Sequence, residues 1–220
     1  MKQPLDRDVM AMRVAREFQD GNVVNLGIGI PTLASNYIPE GRRVTFHSES
    51  GVLGYGGVVE DGEGDIDLIN AGGQFVAALA GMSVFSSVDA FAMIRGRHID
   101  VAVLGGFQVS EQGDLANWML PGSGIGNVGG AMDLAAGARR IIVVMEHVTK
   151  DGQPRLVRRC AYPLTGLRCV DLVVTDLAVI AVTPQGMVLR ETAPGYSAAD
   201  IQAVTEARLT VAKDVREVEL

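Results

Sequence analysis

The sequence predicts an α/β fold, an open and mostly parallel sheet flanked by helices, and three observations lead there. Short apolar runs alternate with segments of helical periodicity along the chain, which is the pattern of strand–helix–strand units. Some runs, such as residues 141–145, are apolar at every position, as befits strands buried on both faces. There are 27 glycines and only 5% aromatic residues. The core must then be built from Val, Ile, Leu, Ala and Met, with glycine at tight strand ends.

The elements follow in order. Residues 6–20 read as a helix, with Ala11, Val14, Ala15 and Phe18 on one face and Arg13, Arg16 and Glu17 mostly off it; Gly21 ends it. Residues 23–28 form a buried strand running into Gly27-Ile28-Gly29-Ile30-Pro31, and Pro31 suits the first turn of a short helix through Tyr37. Residues 44–46 are a strand stopping at His47-Ser48-Glu49, and residues 67–70 another. Ser86 or Ser87 caps a helix to about Ile94. A strand at 101–104 ends in Gly105-Gly106, a helix spans 129–136, and strands follow at 141–145 and 172–175. Residues 179–182 and 187–189 pair as a hairpin around Pro184-Gln185-Gly186. Ser197 and Asp200 resemble a capping box opening the last helix.

The chain has 220 residues, a length that suits one domain over residues 1–220. Its net charge is −7 and it has no run of Lys or Arg, which sets nucleic-acid binding aside. No apolar stretch reaches the length of a membrane span, and residues 1–8 lack the apolar centre of a signal peptide. Cys160 and Cys169 make neither a disulfide framework nor a zinc site and read as reduced, half-buried thiols. A cytoplasmic protein is expected. With 48% hydrophobic residues and a mean hydropathy of +0.23, part of its surface should be covered by another subunit.

Several apolar strands end in small or polar residues, at Asn25-Leu26-Gly27, His47-Ser48-Glu49, Asn70-Ala71-Gly72 and Leu104-Gly105-Gly106. Ligands of open α/β sheets bind at the carboxyl ends of strands, so Asn25, Glu49, Asn70 and the Gly105 turn should share one rim. Glu49 precedes Ser50-Gly51, where glycine allows a sharp turn that lifts the side chain from the sheet edge. Residue type and position leave two roles open for Glu49, a nucleophile or a structural cap or ion-pair partner. Asn25 inside an apolar strand must be hydrogen-bonded, in a site or simply to a neighbouring loop. Gly124-x-Gly126-x-x-Gly129 is formally a dinucleotide fingerprint with Glu146 about twenty residues on. The fingerprint must follow a strand, and Pro121 spoils one there. A loop presenting backbone N–H groups to a ligand at the start of the helix near Gly129 is the better reading.

Six runs together resemble the B (β) subunit of class I 3-oxoacid CoA-transferases, in that family's order and over most of the chain. They are Asn25-Leu26-Gly27-Ile28-Gly29-Ile30-Pro31, Ser48-Glu49-Ser50-Gly51-Val52-Leu53-Gly54, Phe91-Ala92-Met93-Ile94-Arg95-Gly96, Gly113-Asp114-Leu115-Ala116-Asn117-Trp118, Gly129-Gly130-Ala131-Met132-Asp133-Leu134 and Pro163-Leu164-Thr165-Gly166. The resemblance implies a CoA-transferase-type domain that works with a separate A subunit in a hetero-oligomer. It implies CoA exchange between an acyl-CoA such as succinyl-CoA and a 3-oxo acid such as acetoacetate or 3-oxoadipate. CoA would be a substrate, with no further cofactor and no metal. Glu49 would be the nucleophile, carrying first a mixed anhydride and then a glutamyl-CoA thioester; a carboxylate is needed because each intermediate is a derivative of a carboxylic acid. Gly130 would belong to the oxyanion hole, and Asn25, Gly27 and Gly129 would contact CoA or substrate. Relatives that hydrolyse CoA thioesters or cleave rings on the same scaffold, and a non-catalytic acyl-CoA-binding subunit, are the alternatives; the retained Glu49 motif speaks against the first two.

Three features are set aside. The acidic stretch 61–67 lacks the glycine and final acid of a calcium loop. His47, His98 and His147 are too scattered for a metal site, and Glu146-His147 reads as strand-end structure. Many family members carry lysines where this chain has Gly73, Ser123 and Gly126, which bears on the acid used and on the CoA contacts.

Overall fold

The computed structural model describes residues 2–59, 64–122, 124 and 126–219. In chain order the elements are α1 (Arg7–Ala15), β1 (Val23–Leu26), α2 (Ile30–Leu33), β2 (Thr45–Ser48), β3 (Val52–Tyr55), β4 (Ser83–Val84), α3 (Ser87–Arg95), β5 (Val101–Gly105), β6 (Gln108–Ser110) and β7 (Leu115–Ala116). They continue with α4 (Ala131–Gly137), β8 (Arg140–Met145), β9 (Leu156–Val157), β10 (Leu172–Thr175), β11 (Ala178–Thr183), β12 (Gly186–Thr192), α5 (Ala198–Ala203) and β13 (Leu209–Glu217).

Ten strands form one sheet in the order β13-β12-β11-β10-β8-β5-β1-β2-β3-β4. The centre, from β10 to β2, is parallel, and antiparallel pairs flank it on both sides. The apolar runs explain why both faces are covered. Val101 and Val103 pack into one cluster with α1 residues Met10, Ala11 and Val14. Ala102 and Leu104 pack into the other with Ile94 of α3, Leu134 of α4 and Ile201 of α5. That is the two-residue period of a strand, read out on two helical layers.

The predicted strands at 101–104, 141–145 and 172–175 are present within a residue of their expected ends. The hairpin forms as β11 and β12, and the Ser197–Asp200 capping box is complete. Ser86, not Ser87, caps α3. Other expectations need correction. Residues 67–70 form no strand and make only an isolated bridge, Ile69 to Phe75. The first helix stops at Ala15, not at residue 20, although Phe18 is still wholly buried.

Arg13 is also not on the outer face. It is 9% exposed and ties α1 to β12, donating to both oxygens of Glu191 at 2.7 and 3.1 Å and to Glu17 at 2.7 Å. Arg140 takes the other Glu17 oxygen at 2.6 Å. Helical periodicity sorts residues by polarity, so it misses an arginine buried because its charge is matched from another element. Strands β3, β4 and β13 and the small sheet β7-β6-β9 lay outside the predicted set.

Candidate active site

Glu49 follows β2 in a turn closed by the Gly51 N–H to the Ser48 carbonyl at 3.0 Å. The turn demands glycine at its end. Gly51 has φ +101°, and a Cβ there would lie 2.0 Å from the Phe85 carbonyl oxygen. This hairpin sets Glu49 at the carboxyl end of the parallel centre.

Beside it, β1 places Asn25 in register with His47 of β2. Asn25 and His47 are both 0% exposed. The Asn25 amide Nδ2 lies 3.1 Å from Glu49 Oε2, 3.1 Å from His47 Nδ1 and 3.3 Å from the His47 carbonyl oxygen. Among the described residues, the buried polar atoms Asn25 Oδ1 and His47 Nε2 have no partner within hydrogen-bonding distance. Burial, and after it the nearby Glu49 charge, push the Tyr55 phenol well above its ordinary range.

Gly130 lies on the other side of the carboxylate. A Cβ built on it would stand 2.8 Å from Glu49 Oε1, 3.1 Å from Glu49 Cγ and 3.3 Å from Phe91 Cζ. Its φ of −86° is open to any residue, so the backbone does not require glycine there; the approach of Glu49 does. Gly129 has φ +48°, and its N–H is taken by Asn127 Oδ1 at 3.1 Å. The Gly27 N–H is likewise held by the Val103 carbonyl at 2.8 Å. Neither glycine therefore offers its N–H to a ligand; a Cβ on Gly27 would meet the Val103 carbonyl oxygen at 3.1 Å, while the Cα face of Gly129 is open.

Glu49 opens on a cleft of about 940 Å³. Gly27, Asn70, Gly105, Gly106, Gly129 and Gly130 line it, so the expected rim is assembled, with Asn25 behind Glu49 rather than in the wall. Other lining residues were not singled out from the sequence, among them Arg7, Phe107, Asn117 and Arg155. Asn117 lay inside one of the matched runs. It is fixed by donating to the Gly105 carbonyl and accepting from Thr165. Arg155 had no local signal; it comes from β9's leading edge and reaches Glu146 at 3.6 Å.

The dinucleotide alternative fails on the structure. The last strand before Gly124 is β7, which ends at Ala116. A Cβ at Gly126 would lie 2.3 Å from the Trp118 carbonyl oxygen, so this glycine serves loop packing. Gly73 lines the cleft with φ +74° and open space around it. Ser123 and residues 61–63 of the acidic stretch lie outside the described residues. His147 is strand-end structure as expected, with its ring nitrogens 2.9 Å from Thr175 Oγ1 and 2.8 Å from Thr205 Oγ1; Glu146 instead faces the cleft. Both cysteines are free and half-buried, and burial pushes Cys160 up to about 12 and Cys169 up to about 11. Among the described residues no helix is long and apolar enough to cross a membrane.

Known proteins resemble this chain in sequence and in fold. The family described as Coenzyme A transferase matches residues 7–204. The β subunit of acetate CoA-transferase from Escherichia coli K12 is 49% identical over 206 residues, 94% of each chain. The corresponding subunit of 3-oxoadipate CoA-transferase from Pseudomonas putida is 55% identical over 184 residues, 83% of this chain and 86% of that one. An acyl-CoA transferase from Escherichia coli O157:H7, solved as a thioester complex with CoA, superposes with a TM-score of 0.74 at 20% identity. The match covers 100% of this chain and 43% of that one. The chain therefore belongs to the coenzyme A transferase family, and the activity of that membership is movement of CoA between an acyl-CoA and a carboxylic acid.

Proposed function

We propose that this chain is the half of a CoA-transferase that carries the covalent intermediate, with Glu49 as nucleophile. The observation that carries the reading is the seat of the Glu49 carboxylate, between the Asn25 amide and the bare Cα of Gly130, at the mouth of the cleft. A Glu49 oxygen attacks the thioester carbonyl of an acyl-CoA. The C–S bond breaks, CoA leaves as the thiolate, and an acyl-glutamyl anhydride forms. The thiolate then attacks the glutamyl carbonyl, releasing the first acid as its carboxylate and leaving a glutamyl-CoA thioester. A second carboxylate repeats the two steps in reverse and departs as the new acyl-CoA, restoring Glu49.

Negative charge develops on the carbonyl oxygen at each attack. Backbone donors in a water-poor site stabilise such charge most, and we assign that part to the N–H of Gly130. The Asn25 side chain holds the Glu49 oxygen so that it meets the thioester in a fixed direction. CoA is a substrate here, and the chemistry calls for no further cofactor or metal.

A separate A subunit completes the enzyme. Two features support this: the subunit names of the relatives, and the 43% share of a single longer transferase chain that this one matches. Apolar side chains left exposed, such as Ile28 at 68%, Val84 at 72% and Val88 at 76%, suit a surface that another chain covers. The two unpaired thiols favour the cytoplasm. The acid is a short carboxylic acid of the 3-oxo class. Hydrolase, ring-cleaving and silent-subunit readings have no observation in their favour. The test is Glu49→Gln, near-isosteric but unable to form the anhydride, in the assembled enzyme. Transfer should fall by more than about 10⁴-fold, and the mass increment of bound CoA seen on the parent chain after acyl-CoA treatment should vanish. A variant that still transfers CoA, with deamidation excluded, ends the nucleophile reading.

A further inference from the structure

The polar atoms between β1 and β2 admit one arrangement of protons. The Asn25 Nδ2 faces the Glu49 carboxylate and the His47 carbonyl, both of which can only accept. The reversed amide would set Oδ1 against those two oxygens, so the nitrogen must point this way. One amide hydrogen goes to Glu49. The other is shared by the His47 carbonyl and His47 Nδ1, 3.1 Å away. Nδ1 must then be an acceptor, and the imidazole proton must sit on Nε2.

We infer that His47 is a positioning residue of this site, its neutral ring accepting from Asn25 through Nδ1 and so holding the amide on the Glu49 carboxylate. The inference rests on the reading of Glu49 as nucleophile. Protonating Nδ1 would set donor against donor and turn the amide away. Coupling would thus run from a buried ring that touches no substrate, through one amide, to the attacking oxygen.

The surroundings keep the ring neutral. It is wholly enclosed and stacked on Phe85, with ring centres 6.3 Å apart. Burial lowers its pKa from the ordinary 6.5, with the Ala90 backbone a smaller, opposing influence. The charged or titratable groups on the elements around it are few. Glu49 follows its own strand, Tyr55 is on β3, and Asp89 and Arg95 are on α3, while β1 brings only the neutral Asn25. Asp89 is engaged by Ser86 and Arg95 by Asp133. Loss of function on acidification should therefore begin below pH 6.5, as the ring takes up its proton.

The test has two arms on the assembled enzyme. Nitrogen-15 spectra of the three histidines, with His47 assigned by its absence in His47→Gln, read the tautomer at neutral pH. An Nε2–H signal is expected, and an Nδ1–H signal overturns the inference. The second arm is kcat against pH, with melting temperature, for the parent, His47→Gln and His47→Phe. Glutamine can accept from Asn25 but does not titrate, so it should recover turnover relative to phenylalanine and move the acid limb to lower pH. Phenylalanine should lose kcat by about 10²-fold, the scale of a misplaced reacting group, with little change in KM. A glutamine variant with the parent's acid limb, or a folded phenylalanine variant with the parent's kcat, overturns it; if the phenylalanine chain does not fold, the spectrum and the glutamine profile decide. Intact mass separates the two readings. Absence of the CoA adduct on the parent removes the nucleophile itself. A normal adduct beside an unchanged acid limb removes only the role of His47.

Discussion

His47 and His147 are both wholly buried near the carboxyl end of a parallel strand, and they differ in one respect. Both nitrogens of His147 are bonded, to Thr175 and Thr205. His47 has one side-chain partner, Asn25, with only a weaker backbone influence from Ala90, and an orphan, Asn25 Oδ1, lies in the same cluster. A buried polar group with every partner in place rigidifies the fold, whereas an incomplete set costs free energy that folding alone does not recover. The difference separates a structural half of the molecule, built around β10 to β13, from a working rim at the ends of β1 and β2. Three measurements would break or sharpen that division.

The largest effect is expected in the structural half. Arg13→Ala leaves Glu191, which is 6% exposed, without its main partner, with Arg216 the remaining cation at 3.6 Å. Breaking such a pair costs roughly 3–5 kcal/mol. Urea unfolding should show that loss, with kcat of the remaining folded enzyme close to the parent's; a fall in kcat without a fall in stability would erase the division.

Next comes the acid response of His147. Burial holds its pKa at about 4, below the ordinary 6.5, so in that window only the unfolded chain takes up the proton. Its contribution is therefore fully present above pH 6.5 and is lost as pH falls toward 4. At about 1.4 kcal/mol per pH unit this amounts to about 3–4 kcal/mol. Stability measured across the window should decline, and His147→Gln should remove about one proton's worth of that slope. A variant with the parent's slope would show that burial does not keep the ring neutral.

The smallest change in free energy is expected at the rim. Gly130→Ala adds a methyl 2.8 Å from Glu49 Oε1. The clash is with the end of a side chain that can swing away, so melting temperature should hold while kcat drops by about 10²-fold. Equal loss of both would make Gly130 a packing glycine.

Much of this was legible in the sequence because parallel strands buried on both faces leave unbroken apolar runs, as at residues 141–145 and 172–175. The chemistry was legible where such a run ends in an out-of-place residue: Asn25 and Glu49 were visible for that reason. What stayed hidden depends on contacts between distant elements. Arg13 looked solvent-facing because its partner Glu191 is 178 residues away. Strand β13, half-exposed and carrying Lys213, Asp214, Arg216 and Glu217, lacks the apolar alternation that marks a strand. The sequence placed His47 beside the nucleophile and set it aside as a metal ligand; its part depends on the Asn25 amide across the ladder.

That ladder carries a further consequence. The aim of Glu49 is set by pairing Asn25 with His47, and pairing is discrete: a one-residue slip of either strand would turn its side chain to the opposite face of the sheet and part the two. The ladder that carries the Asn25 amide to Glu49 is thus either formed or not. Damage that breaks the ladder should be felt as a head count, fewer chains that can be acylated, whereas changes to the side chains around Glu49 slow every chain.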